Sequence, residues 1–279
     1  MSYAIGLAPI VLPLLFTPTL DEMQGRELQR DYVLPLDWQF VRKNMVYSKK
    51  NVDDGRWWTH VTYAFVHKDL EHVYNNFAML LPSAISVQSE YGIFGLWLTF
   101  FGGCCLGTRN IGRVKEIQHE VAMNSYFGNS NGTSYEGSFW SDPLNATKTA
   151  WSKSVGFGAS VMAPVVSYYC EYVGCSTGCC ALLGLDFCTS VETITHLLFH
   201  AENDIAVSSL NEEEVIMRLT SHAMSCYFTV NMIVDEWNAF QNSGSSDGKD
   251  HAGHVVGLAS GVVCYLGFSL FRLRRRHSK

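Results

Sequence analysis

The chain has 279 residues, of which 47% are hydrophobic and 16% charged, where soluble proteins carry roughly 25% charge. Aromatic residues make up 13%, a balance that excludes a disordered chain and argues against a coiled coil or a collagen-like repeat. A net charge of -6 gives no electrostatic reason to expect nucleic acid as a partner.

The charges are segregated along the chain. Tyr3 to Leu20 is a first run without Asp, Glu, Lys or Arg. It reads as a span rather than a cleaved signal, because no basic stretch precedes Tyr3 and no clear small-residue cleavage site follows. Asp21 to Leu70 is a charged, aromatic first loop, in which Leu34 to Phe40 and Arg56-Trp57-Trp58 suit the headgroup zone that Trp favours. His72 to Ser89 and Tyr91 to Thr108 are the second and third uncharged runs. Arg109 to Lys153 is a polar insert with two N-glycosylation acceptor sequences, at Asn131 and Asn145.

Ser154 to Cys170 is the fourth run. Cys175, Cys179, Cys180 and Cys188 follow and read first as buried packing, with palmitoylation at the membrane edge or a metal site as the alternatives, the latter without a His at a familiar spacing. Asp186 to Arg218 reads as an acidic, partly helical insert, Leu219 to Val234 as the fifth run, Asp235 to Asp250 as a linker, and His251 to Phe271 as the sixth run. The tail from Arg272 carries five Lys or Arg in eight residues, which marks the cytosolic side.

A helix needs about 20 mostly apolar residues to cross a bilayer. Six runs of about that length predict an all-α, polytopic membrane protein. It would be a six-helix bundle in one membrane domain over 1–279, with a core of about 56–267, a lumenal insert at 109–153 and a cytosolic tail at 272–279. Gly257 and Gly261 have the spacing that lets two helix backbones approach closely.

The polar residues inside the runs carry the chemistry, because an unpaired polar group in hydrocarbon costs several kcal/mol. His72 and Asn76 begin the second run, Ser160 lies near the start of the fourth, and His254 near the start of the sixth. If the chain crosses at every run, these starts share one side of the membrane. A Ser hydroxyl needs a base to become a nucleophile, and neutral His is that base at physiological pH. An Asn amide and a His N–H can hold the oxyanion of a tetrahedral intermediate. No Asp or Glu lies within these runs to orient His254, so the expectation is a Ser-His dyad. His67 and His251 read as interfacial, and His222 and Asn231 as structural partners within the fifth span.

In this order the pieces resemble the rhomboid family of intramembrane serine proteases. The resemblance rests on Arg56-Trp57-Trp58-Thr59 with His67, on His72-Val73-Tyr74-Asn75-Asn76, and on Glu90-Tyr91-Gly92. It continues in Gly158-Ala159-Ser160 and in His254-Val255-Val256-Gly257 running on to Gly261. It implies that Ser160 is the nucleophile, His254 the general base, and His72 and Asn76 the oxyanion hole. The implied substrates are single-pass transmembrane proteins, cut within the lipid bilayer without cofactor or metal. The active site would face the lumen or exterior of a secretory-pathway or plasma membrane, with the C-terminus in the cytosol. A second reading is a catalytically weak or inactive relative that binds transmembrane helices as an adaptor. It rests on Val161 and Pro164, where active relatives usually carry Gly and Tyr.

Overall fold

The computed structural model describes residues 3–128, 171–199, 211–241 and 251–277. Its elements are α1 (Tyr3–Phe16), α2 (Leu20–Met23), α3 (Trp38–Asn44), α4 (Lys49–Asp53), α5 (Thr59–Thr62), a 3-10 turn (Tyr63–Phe65), α6 (Leu70–Gly128), α7 (Ser176–Phe199), α8 (Glu212–Gln241) and α9 (His251–His277). The only strand-like pairing among the described residues is one antiparallel bridge between Tyr47 and Tyr172. The expected all-helical architecture is therefore present. Among the described residues, four stretches are long and apolar enough to cross a membrane: Tyr3–Met23, Leu70–Asn110, Ser176–Phe199 and His251–Arg272. The fourth run expected from the sequence, with Ser160, lies outside the described residues, as do Asn131 and Asn145.

Within α6, Gly92 leaves the helix with φ 72° and ψ -176°. Only glycine takes that region freely, so the turn expected at Glu90-Tyr91-Gly92 is real. The helix folds back there. Tyr63, just before the helix begins, donates its hydroxyl to the carbonyl of Cys104 at 3.4 Å, and Tyr47 donates to that of Thr108 at 2.9 Å. The start of α6 and its residues near 104–108 thus share one end of the bundle.

The main correction concerns 176–199. Expected as a cysteine cluster leading into an acidic insert, it is a continuous helix with most of its first half buried. Its one early charge, Asp186, is buried and accepts hydrogen bonds from the hydroxyls of Ser86 and, at 2.8 Å, Ser225. Two hydroxyls from neighbouring helices supply the hydrogen bonds that a buried polar group needs. Ser190 Oγ meets His222 Nδ1 at 3.0 Å one turn further on, so His222 is a structural partner as expected. Asn231 donates to the Tyr227 carbonyl of its own helix, at 2.8 Å.

At the opposite end, Tyr91 stacks on Phe268 with centroids 4.8 Å apart. Arg272 reaches Glu90 at 3.3 Å and Glu192 at 3.0 Å. The core between the two ends is built from Leu80, Ala84, Leu96, Phe100, Cys104, Cys179, Leu182 and Leu185. Helix α1 joins it through Ile10 and Leu14, and the Trp97 indole donates to the Gly6 carbonyl at 2.8 Å.

Candidate active site

The first loop builds the floor of the site. Asn51 Nδ2 donates to the Val46 carbonyl at 2.8 Å, and Arg56 Nη1 donates to Asn51 Oδ1 at 2.9 Å. The Trp58 indole donates to the Asn44 carbonyl at 2.9 Å. Burial pushes the Tyr47 phenol up, and burial with the nearby Arg109 holds the His60 imidazole low. Both rings therefore stay neutral where they pin this loop to α6, His60 through a 2.6 Å contact with Thr108 Oγ1.

That loop then fixes the chain just ahead of α7. Tyr172 N–H donates to the Tyr47 carbonyl at 2.9 Å, and Gly174 N–H donates to the Tyr63 carbonyl at 3.1 Å. Cys175 N–H donates to His67 Nε2 at 3.4 Å. His67 was expected at the interface, but it is buried, because its ring supports this backbone. Gly174 has φ +103°, and a Cβ there would lie 2.8 Å from His72 Cε1. Only glycine meets both conditions. The His72 ring is held edge-on to His67, with centroids 5.0 Å apart.

The residue that emerges from this cradle is Ser176, the first of α7 and buried. Gly174-Cys175-Ser176 repeats the Gly-x-Ser spacing of Gly158-Ala159-Ser160. Asn76 lies one turn away, since its carbonyl accepts the Cys179 thiol at 3.8 Å. The Asn76 side chain is buried and its Nδ2 has no hydrogen-bond partner among the described residues. An unpaired buried amide costs about 1–3 kcal/mol, so a site that keeps one has a reason to hold a donor ready. Asn76→Ala is expected to lower kcat by about 10²–10³-fold while abundance and unfolding temperature hold. A mutant with unchanged kcat on a transmembrane reporter would remove Asn76 from the oxyanion hole.

Helix α9 closes the site. A Cβ at Gly257 would meet the Thr177 carbonyl and lie 2.8 Å from Cys180 Cβ, and one at Gly261 would meet the Ala181 carbonyl. Gly184 of α7 packs in turn on the Leu258 carbonyl. The expected close approach of helix backbones at Gly257 and Gly261 is therefore present, and α7 is the partner. His254 stands one turn before Gly257, so it lies at the level of the first turn of α7. Ser176, His254, His72 and Asn76 therefore all belong to the same end of the bundle. Ser160 lies outside the described residues, so its place relative to His254 is not part of this geometry.

The Rhomboid domain family model matches residues 54–113, about a fifth of the chain. Over that stretch the chain is similar to the rhomboid family. The matched stretch holds Arg56, His67, His72, Asn76 and the Gly92 turn. The family's members are generally intramembrane serine proteases. Comparison with curated proteins and with solved structures gave no significant match.

Sequence reasoning missed two functional candidates. Ser176 was passed over because its neighbours are cysteines and because Asp186 interrupts the apolar run; its own Gly-x-Ser spacing was the available signal. Glu236 was missed because it lies beyond the fifth uncharged run. Its Oε2 stands 2.8 Å from His254 Nδ1 and 2.7 Å from His251 Nδ1. His251, expected at the interface, is buried against this carboxylate.

Proposed function

We propose that this chain is a rhomboid-type intramembrane serine endopeptidase that cleaves transmembrane helices of single-pass proteins in the bilayer. The observation that carries the reading is the close glycine-mediated packing of α7 on α9. It supports a site with Ser176 and His254 at one depth, beside an Asn76 amide that has no partner among the described residues. Among the described residues, α1, residues 70–91, residues 93–110, α7 and α9, with the less apolar α8 counted beside them, give six alternating crossings. His72, Asn76, Ser176 and His254 then fall near the starts of alternate crossings. At 1.5 Å per residue, each lies within roughly 10 Å of the same surface. The basic tail beyond Arg272 is at the other end, so the site faces the lumen or exterior when the tail is cytosolic.

In this reading Ser176 Oγ attacks the scissile carbonyl carbon as its proton passes to His254. His72, Asn76 and the Ser176 backbone N–H receive the oxyanion. Collapse returns the proton to the leaving amine, and water then releases the acyl-enzyme by the same route. Ser160 is the alternative nucleophile. A second reading, a helix-binding adaptor of low or no activity, is favoured by Thr177 and Cys180. They occupy the positions one and four after Ser176, where active relatives usually carry Gly and Tyr.

The test is covalent labelling of the full chain in lipid with a fluorophosphonate, which phosphonylates only an activated serine. The expected result is one adduct on Ser176, lost in His254→Ala. An adduct on Ser160 keeps the protease and moves its nucleophile. Folded protein that captures a transmembrane helix but takes no adduct establishes the adaptor instead.

A further inference from the structure

We infer that Glu236, at the end of α8, is a positioning residue for His254, so that the site works as a Ser-His-Glu triad. The inference rests on the protease reading above. Helix α8 is mostly exposed along its length, with Met217, Tyr227, Phe228, Val234 and Trp237 all facing outward. Glu236 is the exception near its end. It turns inward, and one carboxylate oxygen lies against two imidazole nitrogens, His251 Nδ1 at 2.7 Å and His254 Nδ1 at 2.8 Å. Its side chain is 15% exposed and that of His254 13%. The His251 contact has full hydrogen-bond geometry. The His254 contact is as short but off the donor direction, leaving Nδ1 without a directed bond. A small rotation of the His254 ring completes it, and apo catalytic hydrogen bonds are commonly loose in this way.

The chemistry follows from which nitrogen carries the proton. A neutral imidazole has one N–H. A carboxylate at Nδ1 holds that proton there and leaves the Nε2 lone pair free. Nε2 then accepts the serine proton as Oγ bonds to the carbonyl carbon. His254 becomes an imidazolium stabilised by Glu236, which neither gains nor loses a proton. His251 donates to the same oxygen and keeps the carboxylate from turning to water. It is the α9 residue one turn before His254, so both rings face the end of α8.

The rival occupant is a divalent metal, because the three ligand atoms lie within 4.8 Å of one another. A metal there would occupy His254 Nδ1 and displace the proton that the triad needs.

The experiment compares wild type, Glu236→Gln and Glu236→Asp in liposomes with a transmembrane reporter, with the His254 side-chain ¹⁵N shifts read in parallel. Glu236→Gln is expected to lower kcat by on the order of 10²–10⁴-fold with KM unchanged. Glu236→Asp recovers part of the loss, because the charge is restored. Wild-type His254 shows the Nδ1-protonated form, and Glu236→Gln shows a mixture. Wild-type kcat in Glu236→Gln, a change in KM alone, or an Nε2-protonated wild-type ring overturns the inference. So does wild-type activity that a chelator abolishes, which hands the cluster to a metal. If wild type fails to cleave at all, the protease reading falls, and the ¹⁵N shifts still decide whether Glu236 sets the tautomer.

Discussion

Replacing Ser176 with alanine is expected to lower cleavage of a transmembrane reporter by at least about 10⁴-fold, the scale on which loss of a serine nucleophile acts. The reason is geometric. The backbone ahead of Ser176 is tied down by hydrogen bonds from Tyr172, Gly174 and Cys175 to Tyr47, Tyr63 and His67. The backbone after it is tied down by contact with Gly257. A serine held on both sides, beside a histidine one turn ahead of that glycine, has little other use. The substitution removes one oxygen from a buried position and adds nothing, so abundance and unfolding temperature are expected to hold. Ser160→Ala, made in parallel, is expected to cleave as wild type does. The reverse pattern moves the nucleophile to Ser160 and leaves the protease standing. Full activity in both mutants removes the protease and leaves the adaptor.

The sequence is most legible where one local signal decides the structure. Glu90-Tyr91-Gly92 reads as a turn, and Gly92 makes it with a positive φ that other residues rarely take. Gly257 and Gly261 read as a helix contact, and both meet backbone. His72 and Asn76 stand out because two polar residues four apart in an apolar run share a helix face.

What the sequence hides depends on partners distant in the chain. Asp186 looks like the start of a loop until Ser86 and Ser225 are placed beside it, and then a membrane-length helix runs straight through it. His67 and His251 look interfacial because their partners, Cys175 and Glu236, lie on other elements. Glu236 itself carries a charge and so belongs to none of the uncharged runs. It sits just past the end of one, where α8 returns to the site.

Gly261→Leu is expected to abolish activity and to prevent accumulation of folded protein, and Gly261→Ala to lose most activity with a lowered unfolding temperature. A Cβ at Gly261 would overlap the Ala181 carbonyl and lie 2.7 Å from Leu185 N and 3.0 Å from Ala181 C. These are backbone atoms of α7, which cannot swing aside as a long side chain does. The helices must therefore separate. Ordinary overpacking costs about 1–3 kcal/mol, and here the cost falls on the contact that sets His254 against the start of α7. An outward shift of α9 moves the imidazole away from the start of α7, and a misplacement of about an ångström can cost about 10²-fold in rate. Gly102 is the matched control, since a Cβ there meets nothing within 4 Å. Gly102→Ala is expected to leave cleavage intact and to raise stability by about 0.5–1 kcal/mol, the gain of alanine over glycine inside a helix. Cleavage rate and unfolding temperature in detergent measure both variants. If Gly261→Leu folds and cleaves as wild type does, α7 and α9 are not in contact at Gly261, and the site has to be built some other way.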